Sequence, residues 1–407
     1  MSVRRRVWIG VTTWVVTLAV VRVGIALPET CPPVSVADVR AAAAEAVAWF
    51  ERNQHLAGDY VYLYDAEAGA DDDAATPAFP DDYNQVRHAG VTMSLYQAAA
   101  AGHEPALETA DRGTAWALQR TWEDGDRLVY GPTSGRVSVG SAALVVAGLV
   151  ERREHTDETH HDDVLLGMGR FLADQVEDRG SVLAYYDADD RQPVPDTYSI
   201  FFTGEVMWAL ARLHTTFPDA GFDAPTERIG RYIATERDDA EPAFPPLPDH
   251  WGSYAYAEVA GWPGHRLGEV EVAYARRLAA LFGTAIRSEL PLREGSWQSW
   301  TRPGPSRAAG VGTTGEGLTA LWRAVQRDER LADLDAGVTE RLRCLAGLMV
   351  ERQVETDEAA AFSHPDAARG AWFASGEVRM DDIQHALSFL VAVEEVILRG
   401  APSGGDR

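Results

Sequence analysis

The 407-residue chain contains no lysine; all 37 of its basic side chains are arginine. Schiff-base chemistry and phosphate-loop lysines are thereby excluded. Cysteine is nearly absent as well. Cys31 and Cys344 stand 313 positions apart, which rules out a disulfide framework and disfavours a zinc site with several cysteine ligands. One disulfide stays open, while Cys344, on an amphipathic helix, reads most simply as a small core residue. Neither Gly-x-x-x-x-Gly-Lys, nor Gly-x-Ser-x-Gly, nor an alternating acidic calcium loop occurs. Basic charge is scarce: 62 acidic residues leave a net charge of −25. Such a chain repels phosphate backbones, so nucleic acid is not an expected partner, and it suits high salt, where screening relieves self-repulsion. Against these absences, 46% of the residues are hydrophobic, enough for one large folded domain or two ordinary ones.

Arg4, Arg5 and Arg6 precede the apolar run from Val7 to Val21, a charged segment followed by a run of signal-peptide length. Gly24-Ile25-Ala26 is a small-x-small cleavage pattern, and the paired arginines resemble a twin-arginine export signal. The competing reading is an uncleaved anchor from Val7 to Leu27, with Arg22 near its far end. Residues 1–33 are therefore expected to be a signal peptide or N-terminal membrane anchor, residues 34–400 one domain, and 401–407 a disordered tail. Either of these readings places the domain outside the cell or on the outer face of its membrane; the remaining alternative is a buried N-terminal helix of a cytosolic protein.

Past Pro33 the chain reads as helices separated by Gly-, Pro- and Asp-rich loops. Amphipathic helices are expected at 36–54, 105–119, 162–176, 225–235, 267–287 and 331–351. Each is followed by a more apolar one, at 84–101, 141–150, 199–213, 250–260, 314–325 and 381–398, as expected for helices buried on all sides. The pairs recur about every 50 to 70 residues, and Thr203-Gly204-Glu205 echoes Thr314-Gly315-Glu316. Six hairpins with a buried inner helix each resemble the (α/α)6 toroid of six-hairpin glycan-processing enzymes, a plan shared by terpenoid-cyclase and prenyltransferase toroids. The resemblance covers roughly residues 36 to 398 and rests on helix count, alternation and spacing. It implies an all-α toroid with short β-hairpin-like loops at the funnel mouth and a ligand site where the inner helices begin.

Polar residues at those starts are the candidates for chemistry. Asn84, Arg87 and His88 share one face of the first inner helix, after Asp82 and Tyr83. An arginine there can hold a carboxylate and a histidine can move a proton, although Arg87 can equally pair with an acid of a neighbouring helix. The last inner helix begins Arg379-Met380-Asp381-Asp382 and carries His385; either aspartate can cap it, and Asp381 can pair with His385 at i, i+4. In a closed ring these two starts face each other. Thr203 and Thr314 suit N-caps with Glu205 and Glu316 in the first turns, and either glutamate is a candidate general acid. Asp249 is a candidate cap or carboxylate for the helix that opens with His250, Trp251 and Tyr254. Tyr83, Tyr198, Phe202, Trp251, Tyr254, Trp297, Trp300 and Trp372 are candidate sugar platforms or core aromatics, and His250, Arg379 and Asp381 complete the expected binding set. Asp187-Ala188-Asp189-Asp190 matches a terpene-cyclase acid pattern but reads as a turn in so acidic a chain. No metal and no cofactor is expected.

These residues suit an exported carbohydrate-active enzyme on acidic polysaccharide, with uronate-containing oligosaccharides as candidate ligands. Hydrolysis would use paired carboxylates; a lyase or epimerase would use Asn84, Arg87, His88 and Tyr83 around a C5 proton. A non-catalytic glycan- or protein-binding module and an isoprenoid cyclase or transferase are the alternatives.

Overall fold

Ser35 and Asp38 open the folded ring with a reciprocal cap. The Asp38 amide donates to the Ser35 hydroxyl at 3.2 Å, and the Ser35 amide donates to Asp38 at 2.8 Å. The computed structural model describes residues 3–25, 31–65, 83–241, 248–291 and 305–399; the expected 401–407 tail lies outside them.

Helix α1 (Val3–Ile25) precedes the ring, and its Trp8, Ile9, Trp14 and Val15 stand in solvent. Six outer helices follow: α2 (Val36–Arg52), α4 (Pro105–Leu118), α6 (Asp162–Ala173), α8 (Asp223–Thr235), α11 (Glu269–Glu289) and α13 (Asp335–Glu351). They alternate with six inner ones: α3 (Gln85–Ala100), α5 (Val139–Thr156), α7 (Phe202–Thr216), α10 (His250–Val259), α12 (Ala308–Arg327) and α16 (Met380–Arg399). Short helices α9 (Arg237–Ala240), α14 (Thr356–Ala359) and α15 (Pro365–Ala368) sit in the connections. The inner helices pack in sequence order, and α16 packs on α3, which closes the toroid. Every residue of α5 from Val139 to Val150 is buried, the burial its unbroken apolar composition dictates.

Small antiparallel sheets decorate the end where the inner helices start, as the toroid reading implies. Strand β1 (Leu63–Asp65) pairs with β7 (Glu377–Arg379) through Leu63 opposite Arg379. A hairpin joins β2 (Thr121–Asp124) to β3 (Arg127–Tyr130). Strands β4 (Arg136–Ser138), β5 (Tyr185–Asp187) and β6 (Gln192–Pro193) form a third sheet. The Asp187 carboxylate accepts the amides of Asp189 and Asp190 at 2.9 and 3.0 Å, so this acidic segment is a turn.

Helix α12 starts six residues earlier than its apolar pattern suggests, at Ala308. Thr314 therefore lies inside the helix and its hydroxyl donates to the Gly310 carbonyl; it is not the N-cap. Thr203 likewise is not the cap of α7 but donates to the Ser199 carbonyl. Cys344 is buried, and it forms a disulfide with Cys31 that ties the segment before α2 to α13.

Candidate active site

All six inner-helix N-termini line one cavity of about 800 Å³ at the ring's mouth. Its walls include Asn84 and Arg87 of the first inner helix, Phe202 and Glu205 of the third, and His250 and Trp251 of the fourth. Arg379, Asp381, Gln384 and His385 of the sixth complete the polar side.

The centre of the site is built by close packing of α12 on α16. A Cβ at Gly312 would sit 2.5 Å from the His385 carbonyl carbon, and one at Gly315 would sit 2.4 Å from the Phe389 ring. Only glycine allows this approach, and it carries Glu316 against His385. The fully buried Glu316 carboxylate lies 2.9 Å, Oε2 to Nδ1, from His385. Burial alone would lower the His385 pKa, but Glu316 overrides it and raises the value above 6.5. Burial raises Glu316, and His385 only partly offsets it.

His250 faces the same centre from α10. Asp249 caps that helix by accepting the Gly252 amide at 2.8 Å, and is itself held by a buried ion pair with Arg237. The His250 and His385 rings meet edge to face, 5.6 Å apart. His250 Nε2 is buried without a hydrogen-bonding partner among the described residues, and burial, then the neighbouring His385, push this imidazole well below 6.5. The cluster thus pairs an imidazole that favours a proton with one that refuses it. One donor atom from each of His250, Glu316 and His385 lies within 4.8 Å of the others, so these residue types would also suit a divalent cation.

Charged residues flank His385 at the start of α16. Asp381 accepts from Arg87 at 3.1 Å and from Arg379 at 2.8 Å, and these arginines hold its carboxyl below the usual range despite burial. Asp381 therefore pairs with the arginines, and His385 with Glu316, not with each other. Asn84 caps α3 by accepting the Arg87 amide. Arg87 also donates to the Tyr62 hydroxyl. Asp382 is fully buried, bonded to Arg307 at 2.6 Å and to the amides of Ala309 and Arg379; it holds helix starts together behind the wall.

Several sequence candidates lie away from the cavity. His88 is fully buried, with Nδ1 2.9 Å from the Tyr83 hydroxyl and Nε2 2.9 Å from the Gly113 carbonyl, and burial lowers its pKa to about 4. Tyr83, also buried, accepts the Tyr60 amide. Trp372 is core, its indole donating to the Met349 carbonyl. Tyr254 lies behind the wall, stacked on Trp208, and Tyr198 bonds Arg179 and Glu177 beside the mouth. Asp82, Trp297 and Trp300 lie outside the described residues. The sequence reading paired His385 with Asp381 and did not join Glu316 to His250 and His385; the signal for the Glu316 contact was the Gly312-x-x-Gly315-Glu316 spacing, which marks a close helix approach.

No protein-family model and no curated protein matches the chain. Solved structures do match it in fold. A D-mannose isomerase superposes with a TM-score of 0.60 at 11% identity, covering 90% of this chain and 98% of that one. A cellobiose 2-epimerase from Spirochaeta thermophila gives 0.57 at 14%, covering 89% and 98%. An unsaturated glucuronyl hydrolase specific for heparin gives 0.58 at 11%, covering 89% and 98%. This chain has the (α/α)6 toroid fold that these enzymes share.

Proposed function

We propose that the protein is a carbohydrate-active enzyme that moves the proton at C2 of a reducing sugar, as an aldose–ketose isomerase or a 2-epimerase. The observation that carries this reading is the pair His250 and His385 on the cavity wall, with Glu316 buried behind His385. Groups whose surroundings drive their proton affinities apart divide into base and acid. In this reading the neutral His250, which lines the cavity, takes the proton next to a sugar carbonyl. The His385 imidazolium, held by Glu316, is placed to neutralise the enediolate oxygen and return a proton. Trp251 and Phe202 offer apolar surfaces for the sugar ring. Fold neighbours named for mannose isomerisation and cellobiose 2-epimerisation support the assignment.

A uronate substrate is the second reading. Arg87 and Arg379 reach the cavity while sharing the single carboxylate of Asp381, which leaves cationic capacity for a sugar carboxylate. The heparin-specific glucuronyl hydrolase supports a role for acidic sugars on this fold. We further propose export. The Arg4–Arg6 segment with its apolar run supports it, as does the Cys31–Cys344 disulfide, a bond that persists in oxidising compartments. The −25 charge supports a high-salt setting.

The test incubates the full chain at high salt with neutral and uronate reducing sugars and resolves the products by chromatography. A ketose or C2 epimer of unchanged mass supports the proposal. Cleavage of a glycosidic bond, with or without added water, contradicts it in favour of hydrolase or lyase chemistry. Binding with no chemical change returns the toroid to a recognition role.

A further inference from the structure

Of the acids that line the cavity outside the histidine cluster, Asp381 and Glu289 are paired with arginines, and Glu205 is not. Glu205, in the first turn of α7, lines the cavity, is 3% exposed, and makes no ion pair with any described residue. Its Oε2 is fully buried with no hydrogen-bonding partner among the described residues. The neighbouring helix makes room for that oxygen. A Cβ at Gly140 would sit 2.1 Å from Glu205 Oε2 and 2.4 Å from the Phe202 ring. Buried polar groups are almost always satisfied; Oε2 is turned to Gly140, yet Glu205 itself lines the cavity with no cation to neutralise it, so the acid group stands where a ligand can complete its pairing. Burial, and then the charge of Asp249, push its pKa up to about 8, with the Trp251 indole pulling weakly the other way. Glu205 is therefore a carboxylic acid at neutral pH, able to donate as well as accept.

Proton transfer at C2 requires a carbonyl at C1, which a closed pyranose lacks. We propose that the cavity carries a separable ring-opening activity on reducing sugars, with Glu205 as its acid. This deepens the reading of the cavity as a sugar site and rests on it. In the step, the Glu205 carboxyl proton goes to the ring oxygen as the C1–O5 bond breaks and its electron pair moves to O5. The proton on O1 passes to water and the C1=O bond forms. Water then reprotonates Glu205, and nothing is oxidised or reduced. The substrate class is accordingly a sugar with a free anomeric hydroxyl; a glycoside blocked at O1 cannot pass through this step.

Ring opening has its own readout, because each opening and closing exchanges the anomers. Freshly dissolved α-D-glucose and α-D-mannose are followed by polarimetry with the full chain, alongside C2 interconversion of the same sugars. The wild type is expected to accelerate mutarotation, with the acceleration falling above about pH 8 as Glu205 ionises. Glu205→Gln keeps the shape and neutrality of the acid but has no proton to give. It should lose the enzymatic acceleration by about 100-fold or more, with its melting curve unchanged. Mutarotation by Glu205→Gln at the wild-type rate overturns the assignment of Glu205. Interconversion by the wild type without accelerated mutarotation overturns the ring-opening activity and leaves the C2 proposal standing. A wild type that does neither overturns both.

Discussion

His385 and Glu316 are 69 positions apart in sequence, yet His385 Nδ1 and Glu316 Oε2 lie 2.9 Å apart, with Glu316 buried behind the His385 that lines a cavity all six inner helices build. The carboxylate raises the imidazole's proton affinity against the opposing effect of burial. Substituting Glu316→Gln removes that charge and leaves burial to act alone. A histidine raised in the native state contributes most below its ordinary value of 6.5 and loses that contribution as pH rises through its native value. The alkaline limb of activity should therefore move to lower pH in Glu316→Gln, as should the His385 titration followed by NMR. An unmoved titration would mean that Glu316 does not hold the proton on His385.

The approach of α12 to α16 should be intolerant of a single methyl group. Gly312→Ala would drive a Cβ against the His385 backbone, where no flexible side chain can yield. The expected cost is about 1–3 kcal/mol of stability from overpacking, with a larger loss of activity because His385 shifts relative to Glu316. Gly310→Ala, which meets nothing within 4 Å, is the control and should change the melting temperature little. Equal melting temperatures for the two variants would contradict the packing account.

The Cys31–Cys344 disulfide closes a loop of 313 residues, so its loss acts chiefly on the unfolded chain. Removing it by Cys344→Ala should cost about 2–5 kcal/mol, read from denaturant midpoints with and without reductant. The wild type should converge on the variant when reduced. A reductant-insensitive wild type would show that the bond does not contribute.

Much of this architecture is legible from the amino acids alone. The apolar inner helices and amphipathic outer helices follow from the distribution of hydrophobic residues, and Arg87 and His385 were visible as polar exceptions on apolar helices. What sequence periodicity gives is a direction around a helix, and it does not say how deep a side chain sits. His88 follows Arg87, yet its ring turns into the core, where Tyr83 and the Gly113 carbonyl satisfy both nitrogens. Trp372 is loop-borne but buried, because its indole finds the Met349 carbonyl. The reverse holds for Glu316. It echoes Glu205 in sequence, and only the glycine-mediated contact of two helices shows that one glutamate holds a histidine while the other has a free oxygen.

The central claim is that His250 and His385 exchange a proton with C2 of a reducing sugar. The most direct test is solvent exchange at that carbon, with D-mannose or cellobiose incubated in D2O and the C2 position read by NMR. The wild type should place deuterium at C2, and His385→Asn and His250→Phe should each slow its appearance by about 100- to 10,000-fold while the ring remains folded. Sugar turnover with no deuterium at C2, or undiminished exchange in both variants, would contradict the account.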